Sequence, residues 1–348
     1  MFTMSNASTH LNECYDPDRD AFGDDPSYGL RLLAHSMESM KSIRTPWTLI
    51  DRDETCHGSN RADLHNALDR ADFVLTLADA AWFDDLDRCP QRAFLDGDPL
   101  FTQARMLDPA SATASALARY PTLFTYWTRQ KSADTTVPSA HRTWISTTPV
   151  VSTALWDVAA PRMCAPVTTV MNWSGFDDVK LDGREYGQKN RELERMIDLP
   201  SRTSHSFTIA LGGSAPKARV ESHGWTLTNP LTVTGTIGAY REFIANSYAD
   251  IGIAKHAYVA SRSGWFSDRS LCYLASGRPV LHQDTGFTDW LPTGEGVLAF
   301  STAEEAAAGL RSLDEDYPRH ARAARAIAET RFEARTVIGR MLDDAGMR

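Results

Sequence analysis

The sequence predicts an α/β protein with parallel sheets, divided into two domains. The chain has 348 residues, of which 42% are hydrophobic, and a chain of this size buries more than one core. Apolar runs of strand length alternate with segments of helical periodicity, as in sheets covered by helices on both faces. Between residues 138 and 166 the chain becomes rich in Thr, Ser and Pro, which indicates a crossing between domains.

The first half of the chain alternates helices and strands after a polar opening. Residues 28–42 repeat apolar positions at helical spacing, and residues 46–51 predict a short strand. Residues 62–71 predict a helix that leads directly into residues 72–80, an apolar run typical of buried parallel strands. Residues 93–99, AFLDGDP, predict a strand with a polar turn at its carboxyl end. We assign residues 1–160 to the first domain.

The second half predicts a complete doubly wound domain, which we place at residues 161–325. Apolar runs of strand length recur along it, and helix-compatible segments separate them. The predicted strands are residues 167–173, 206–212, 225–230, 256–262, 278–283 and 296–300. Residues 326–348 predict a final helix, which we expect to pack back on the first domain.

Composition and charge disfavour several classes of protein. The net charge of −9 repels phosphate backbones and anionic lipid, so nucleic acid is a disfavoured partner. No stretch approaches the roughly 18 consecutive apolar residues of a membrane span, and the N-terminus lacks a secretory pattern. We therefore expect a cytoplasmic protein. The five cysteines lack a CxxC pair and the histidines lack paired-ligand spacing, so we expect no disulfide framework and no metal site.

Two polar loops of the second half follow predicted strands, which is where α/β sheets bind ligands. In the first loop, SRSGWFSDRS, Arg262 and Arg269 suit a diphosphate, and Gly264 permits close backbone approach. Its last part, Ser267 to Ser270, begins a helix, whose N-terminus favours anions. The second loop, residues 284–287, offers a carboxylate, a hydroxyl and a glycine amide to sugar hydroxyls. A helix-capping turn with solvated arginines and an ordinary turn are the alternative interpretations.

Three further side chains are candidates for chemistry. Lys189 follows the first strand of the second domain, where a lysine can meet a phosphate as a point charge, although most lysines are merely solvated. Asp96 and Asp98 stand at a strand end, where a carboxylate can act as a base, and an Asp-rich turn is the alternative. The paired glycines of residues 208–216 do not form GxGxxG, which argues against a simple NAD enzyme.

Taken together, the motifs SGWFSDRS, YLASGRPV and QDTGF, with weaker likenesses such as FLDGDPLFTQ earlier in the chain, resemble bacterial glycosyltransferases of the GT-B superfamily, similar to families 1 and 4. The resemblance implies two Rossmann-like doubly wound domains that face a cleft. It also implies that the second domain binds a nucleotide-diphosphate sugar as substrate, without a cofactor or metal. The cleft would admit a small-molecule or glycan acceptor, with Asp98 as the best candidate base and Asp96 behind it. The predicted donor-binding residues are Lys189, Arg262, Ser263, Gly264, Ser267, Asp268, Arg269, Ser270, Asp284, Thr285, Gly286 and Phe287.

The chain departs from that family pattern at two places. Many retaining relatives carry a glutamate pair where this sequence has Gly264 and Cys272, and neither residue grips a ribose as a carboxylate does. Another group must then hold the donor ribose, and the stereochemical outcome stays open. Relatives also open with a strand, a glycine-rich turn and a long helix. We expect this chain to lack the opening strand and turn, which would shorten its first domain.

Three rival functions stay open beside the glycosyltransferase. One is another activity on the same fold, such as a nucleotide-sugar epimerase or hydrolase. The second is a non-catalytic binding or scaffold protein that kept the fold. The third is a phage-type DNA-base glycosyltransferase, which the acidic charge balance disfavours.

Overall fold

The computed structural model describes residues 2–347 except 6–13, 17–20, 24, 40–45, 52, 78–83, 159, 161 and 176. The strands of the first half are β1 (Phe2–Ser5), β2 (Cys14–Asp16), β3 (Ala21–Gly23), β4 (Trp47–Ile50), β5 (Cys56–Gly58), β6 (Val74–Leu77), β7 (Arg92–Asp96), β8 (Thr122–Thr125) and β9 (Ile145–Ser146). The helices of the first half are α1 (Ser27–Ser39), α2 (Arg61–Asp69), α3 (Phe101–Met106) and α4 (Ala112–Ala118), with 3-10 turns at Asp84–Arg88 and Thr153–Leu155.

The strands of the first half form three sheets within the described residues. Strands β6, β7, β8 and β9 pair in that order, all parallel, and β7 is buried from Ala93 to Asp96. Asp96 is the last residue of β7, and Asp98 follows two residues later. A second sheet has the order β1-β4-β5, and β2 pairs with β3 as an antiparallel hairpin.

The expectation that the chain lacks an opening strand is wrong. Strand β1 pairs in parallel with β4, and the β2–β3 hairpin and α1 lie between them in the chain. Apart from the hairpin, these elements are a strand, a helix and a parallel strand, as at the start of a Rossmann-like domain. The segment after β1, residues 6–13, contains no glycine and lies outside the described residues. Strand β1, FTMS, has only two apolar residues, Phe2 and Met4, so periodicity did not separate it from the polar opening.

The second half is built on one parallel sheet of six strands. The strands of this half are β10 (Val167–Asn172), β11 (Val179–Leu181), β12 (Arg184–Tyr186), β13 (Phe207–Gly212), β14 (Trp225–Thr228), β15 (Ala249–Gly252), β16 (Val280–Gln283) and β17 (Val297–Phe300). The sheet has the order β14-β13-β10-β15-β16-β17. Numbered within this sheet, that order is 3-2-1-4-5-6, the order of a Rossmann sheet, whose ligands bind at the switch between the first and fourth strands. Strands β11 and β12 form a separate antiparallel hairpin.

Helices cover the six-stranded sheet and extend to the C-terminus. They are α5 (Lys189–Arg195), α6 (Lys217–Ser222), α7 (Pro230–Thr234), α8 (Ile237–Ala245), α9 (His256–Ser261), α10 (Asp268–Ala275), α11 (Ala303–Glu315), α12 (Tyr317–Ile327) and α13 (Ala334–Asp344), with 3-10 turns at Leu199–Arg202 and Phe287–Asp289 and a π-helical turn at Ala328–Phe332. None of the described helices is long and apolar enough to cross a membrane.

The strand predicted at residues 256–262 is wrong. These residues form α9, whose buried side chains Ala257, Tyr258 and Ser261 are spaced as one helical face. The fourth strand of the sheet is β15 instead, and all four of its residues are buried. Because β15 contains an aspartate and a glycine, its apolar pattern is interrupted and it resembles the end of the preceding helix in the sequence. The loop SRSGWFSDRS therefore follows a helix, and residues 253–255 follow the strand.

One apolar cluster spans the two halves of the chain. Phe101 and Trp127 of the first half belong to the same buried cluster as Tyr258 and Trp265 of the second half. The final helix α13 also reaches the first half, where Val337 and Met341 belong to a cluster with Ala93, Leu95 and Phe124. The domain boundary predicted near residue 160 stays a prediction.

Candidate active site

A polar pocket lies at the switch point of the six-stranded sheet. Helix α5 begins there with Lys189, and α10 begins there after its N-cap residue Ser267. The pocket has a volume of about 10 Å³, close to the space of one water molecule. The lining residues are Thr169, Val170, Lys189, Tyr240, Asp250, Gly252, Ile253, Ser267, Arg269, Ser270 and Tyr273. Four of the predicted donor-binding residues therefore meet at one place: Lys189, Ser267, Arg269 and Ser270.

Lys189 is buried in this pocket, with 9% of its surface exposed. Its ammonium forms no hydrogen bond or ion pair with any of the described residues. Burial lowers the pKa of Lys189 well below its ordinary value, and the positive charges of Arg269 and Lys255 lower it further. A buried cation without a partner is costly unless a ligand supplies the missing charge. The side chain is therefore suited to receive an anion.

Arg269 adds a second cation to the pocket, in the first turn of α10. Within the described part of the chain its guanidinium has no carboxylate partner. The Ser267 side chain makes no capping hydrogen bond to the helix, so its hydroxyl is free of that role. The partial positive charge of a helix N-terminus adds to the field of the two cations. Asp268, the fourth predicted residue of this turn, is exposed, and its carboxylate accepts a hydrogen bond from the Arg269 amide at 2.9 Å.

Asp250 is the buried carboxyl group of the pocket. The Ser270 hydroxyl donates a 2.6 Å hydrogen bond to its Oδ2. Burial raises the pKa of Asp250 to about 6, although Ser270, Arg269 and Lys189 act in the opposite direction. Asp250 did not stand out in the sequence because residues 238–252 are compatible with a helix. The signal in the sequence that could have pointed to Asp250 was an aspartate in a short apolar run, two residues before Gly252.

The first part of the predicted donor loop lies in a contact between the two halves of the chain. Arg262 has a left-handed backbone conformation, and its Nε donates a 2.6 Å hydrogen bond to Asp134. Ser263 is buried, and its carbonyl accepts a hydrogen bond from the Arg129 amide at 3.4 Å. Gly264 has φ 78°, and a Cβ there would lie 2.2 Å from Thr128 Oγ1. These three residues contact the first half of the chain, and none of them lines the polar pocket.

The second predicted loop joins the first through the backbone. The Gly264 amide donates to the Thr285 carbonyl at 2.8 Å, and Thr285 Oγ1 donates to the Trp265 carbonyl at 2.5 Å. Asp284 accepts a 2.8 Å hydrogen bond from the Gly286 amide. Phe287 is fully buried in an apolar cluster. In this structure the loop is a turn whose hydrogen-bonding groups are mainly paired with other groups of the protein.

Arg129 connects the two loops to the first half of the chain, and sequence reasoning missed it. Its Nε donates to Asp289 at 2.6 Å, Nη1 donates to the Arg262 carbonyl at 3.2 Å, and Nη2 pairs with Asp134 at 2.7 Å. A Cβ on Gly286, which has φ 90°, would lie 2.5 Å from Arg129 Cδ. The two glycines of the predicted donor loops are therefore needed for close approach of Arg129 and Thr128.

The two predicted catalytic carboxylates have different surroundings. Asp96 is buried and accepts hydrogen bonds from Thr102 at 2.6 Å and from Gln103 and Thr125 at 2.8 Å. Burial raises the pKa of Asp96 despite these donors. With its oxygens satisfied and out of reach of solvent, Asp96 fits a structural role, and the base role predicted for it has no support here.

Asp98 is half-exposed and faces the second half of the chain. Its Oδ1 accepts a 2.5 Å hydrogen bond from Lys255 Nζ and a second hydrogen bond from the Tyr258 hydroxyl. Burial acts to raise the pKa of Asp98, but Lys255 and Tyr258 outweigh it, so the pKa is lowered. Asp98 is therefore ionised at neutral pH.

An open cleft of about 540 Å³ is lined by Phe101 and Arg105, three and seven residues after Asp98. Phe101 lines the cleft, and its ring centroid lies 4.9 Å from Lys255 Nζ. The volume is within the range of small-molecule sites. The lining residues are Phe101, Arg105, Ser174, Gly175, Asp177, Asp178 and Val179.

Gly264 and Cys272 stand where many retaining GT-B enzymes carry a glutamate pair. Neither residue is a carboxylate, and neither lines the polar pocket. Gly264 is packed against Thr128, and the Cys272 thiol lies 3.9 Å from the Asp268 carbonyl, to which it donates. Burial raises the pKa of Cys272 to about 12, so the thiol is neutral. Among the described residues, no group of three or more His, Cys, Asp or Glu side chains is arranged to hold a metal ion.

Comparison with solved structures identifies the fold. The chain is similar to HepE from Anabaena in complex with UDP, with a TM-score of 0.52, 10% identity, and 94% of this chain and 98% of HepE covered. It is also similar to sucrose-phosphate synthase from Thermosynechococcus elongatus, with a TM-score of 0.50, 11% identity and coverage of 100% and 99%. TarM gives a TM-score of 0.53 at 9% identity, with 84% of this chain and 59% of TarM covered. No protein-family model and no curated protein sequence matches the chain.

These likenesses confirm the fold class predicted from the sequence. The similar structures are GT-B glycosyltransferases, whose fold consists of two Rossmann-like domains that face a cleft. This chain has the GT-B fold.

Proposed function

We propose that the protein is a glycosyltransferase that moves a sugar from a nucleotide-diphosphate sugar to a small-molecule or glycan acceptor without a metal ion. One observation carries the proposal. A buried, unpartnered Lys189 lies with Arg269 in a polar pocket at the N-terminus of α10. The pocket is at the switch point of a Rossmann sheet, where such folds bind nucleotides.

The chemistry of glycosyl transfer suits these groups. When the bond between sugar and phosphate breaks, negative charge grows on the leaving diphosphate. Cations and helix amides that are already in place stabilise that charge without reorganisation. Lys189 and Arg269 supply positive charge of the kind that a divalent metal supplies in other enzymes. The crystal structures of HepE in complex with UDP and with UDP-glucose support a nucleotide-diphosphate donor for this fold.

Asp98 is the better of the two candidate bases. It is half-exposed and ionised, and Phe101, three residues later, lines the open cleft. Arg105, which also lines the cleft, acts on the charge of Asp98. Lys255 and Tyr258 would fix the orientation of Asp98, although their hydrogen bonds also weaken it as a base.

The pocket must widen to admit a diphosphate, because its present volume holds about one water molecule. Lys189 and Arg269 have long side chains without partners among the described residues, so they can move without breaking an ion pair. We expect the donor diphosphate to displace water at the mouth of the pocket and to order both side chains.

A thermal-shift panel tests the proposal, because a ligand that binds only the folded state raises the melting temperature. The panel contains UDP, GDP, ADP and the matching monophosphates, with EDTA present throughout. We expect at least one diphosphate to raise the melting temperature, and its monophosphate to do so less. A panel without any shift would contradict the proposal and favour the non-catalytic scaffold.

Labelled nucleotide sugars separate transfer from the related activities. The enzyme and the nucleotide sugar whose diphosphate gave the largest shift are incubated with a mixture of glycan and small-molecule acceptors. We expect label in a new product only when acceptors are present. Release or isomerisation of the sugar without an acceptor would indicate a hydrolase or an epimerase.

A further inference from the structure

The polar pocket around Lys189 contains more positive than negative charge. The titratable and charged groups that face it come from five other parts of the fold. They are Tyr240 on α8, Asp250 on β15, Lys255 after β15, Asp268, Arg269 and Tyr273 on α10, and His282 on β16. The Lys189 ammonium has none of the described carboxylates within ion-pair distance, and Asp250 is bonded to Ser270.

Burial in this arrangement disfavours the charged form of both Lys189 and Asp250. The amine of Lys189 loses hydration and lies near Arg269 and Lys255, so its pKa is well below the ordinary value. The pocket therefore favours the neutral amine more than water does. An anion in the pocket reverses the balance, because a nearby negative charge favours the ammonium.

We propose that a diphosphate binding in this pocket takes up a proton from solvent, and that the Lys189 amine is the group that receives it. The inference rests on the proposed function, because it assigns the donor diphosphate to this pocket. In the free protein, burial beside Arg269 without a carboxylate partner disfavours the ammonium form of Lys189. On binding, the nitrogen lone pair of Lys189 forms a new N–H bond with a proton released by the buffer, and the ammonium then pairs with the phosphate oxygens.

The uptake has a definite sign. A ligand that favours the protonated protein binds more tightly at lower pH and more weakly as pH rises through the pKa of the free group. The second ionisation of a terminal phosphate has a pKa of about 6. At pH 8 the nucleotide is fully ionised, so any net proton uptake there belongs to the protein.

Isothermal titration calorimetry at pH 8 measures the uptake directly. UDP, GDP and ADP are each titrated in Tris and in HEPES, two buffers with different ionisation enthalpies, with EDTA present. We expect the observed enthalpy to change with the buffer in the direction of proton uptake, up to about one proton per bound nucleotide. Binding with the same enthalpy in both buffers would overturn the inference and leave the proposed function intact. An absence of binding by all three nucleotides would contradict both.

Two variants assign the proton. Lys189→Arg keeps a positive charge that does not titrate in this range, so we expect it to bind nucleotide without proton uptake. Asp250→Asn removes the other shifted group, and we expect it to keep the uptake. Uptake that persists in Lys189→Arg, or that disappears in Asp250→Asn alone, would overturn the assignment to Lys189. Urea unfolding of both variants verifies that each is folded.

Discussion

Asp250 is buried beside Lys189 and Arg269, and its carboxyl group keeps its proton to a higher pH than an exposed aspartate does. Its pKa is raised to about 6 because burial outweighs Ser270 and the neighbouring positive charges. In the unfolded chain the same group titrates near 3.9. Between these values the folded state binds a proton that the unfolded state has lost. Asp250 therefore favours folding at low pH, and this contribution is lost as the pH rises through about 6.

Replacing Asp250 by asparagine tests that sign. Asparagine keeps an oxygen that accepts the Ser270 hydrogen bond but does not titrate. We expect the free energy of unfolding of Asp250→Asn, relative to the natural protein, to rise by about 1 kcal/mol between pH 5 and pH 8. Urea unfolding at the two pH values measures the difference. A constant or falling difference would contradict the burial of a titrating carboxyl group at this position.

At the residue scale, the sequence predicted which types of residue the proposed donor site contains better than it predicted which individual residues belong to the site. Arg262 and Arg269 stand in the same loop, and both suit a phosphate. Only the fold separates them, because Arg262 pairs with Asp134, which is distant in sequence. Asp96 ends β7 and Asp98 follows it, and their different surroundings depend on Thr125 and Lys255, which come from other elements. Local patterns do not contain these long-range partners.

At the scale of elements, the loop around Gly264 depends on backbone conformation. Gly264 has φ 78°, and a Cβ would lie 2.2 Å from Thr128 Oγ1. Gly183, in the β11–β12 hairpin, has φ 74° but open space around the position of a Cβ. Both glycines avoid the strain that a left-handed conformation imposes on other residues, while only Gly264 also avoids a clash.

The comparison of Gly264→Ala with Gly183→Ala isolates that clash. Strain alone is expected to cost about 1–2 kcal/mol, and we expect Gly183→Ala to lose about this amount. Gly264→Ala should lose about 1–3 kcal/mol more, because an overpacked site forces neighbours to shift. Urea unfolding of the two variants measures both losses. Equal losses would indicate that Thr128 moves away without cost.

The elements with unbroken apolar runs could be predicted from the sequence. Strands β10, β13 and β17 lie where the patterns placed them. The fourth strand, β15, could not be predicted, because Asp250 and Gly252 interrupt its four residues, and the apolar run of α9 is equally compatible with a strand. Tertiary burial on both faces of β15 decides the outcome.

At the scale of the whole molecule, Arg129 is a fixed connection between the two halves of the chain. It is buried and bonded to Asp289, Asp134 and the Arg262 carbonyl. The apolar cluster shared by the two halves lies nearby. These contacts explain why the halves are expected to unfold together.

Removal of the Arg129 guanidinium tests that coupling. We expect Arg129→Met to lower the free energy of unfolding by about 1–3 kcal/mol, and to broaden or split the calorimetric transition. Arg119→Met is the control, because Arg119 pairs with Asp84 and Asp87 on the surface of the first half, where such pairs are worth about 0–1 kcal/mol. An Arg129→Met transition as sharp and as high as that of Arg119→Met would contradict the connection.

The overall architecture was accessible from the sequence because it depends on the order of elements rather than on single contacts. Alternation of strands and helices predicted the parallel sheets, and the motif blocks led to the GT-B fold. The opening strand was missed because β1 is short and its parallel partner β4 lies more than forty residues away. Pairing of that kind is visible only in the folded chain.

The central claim is that Lys189 and Arg269, rather than Arg262, bind the donor diphosphate. Calorimetric titration of the best-binding nucleotide diphosphate against Arg269→Met and Arg262→Met tests it most directly, since the two arginines come from one loop. We expect Arg269→Met to weaken binding by about tenfold or more, as for the loss of a charge-assisted hydrogen bond, and Arg262→Met to bind as the natural protein does. Unchanged affinity in Arg269→Met, or a larger loss in Arg262→Met, would contradict the claim.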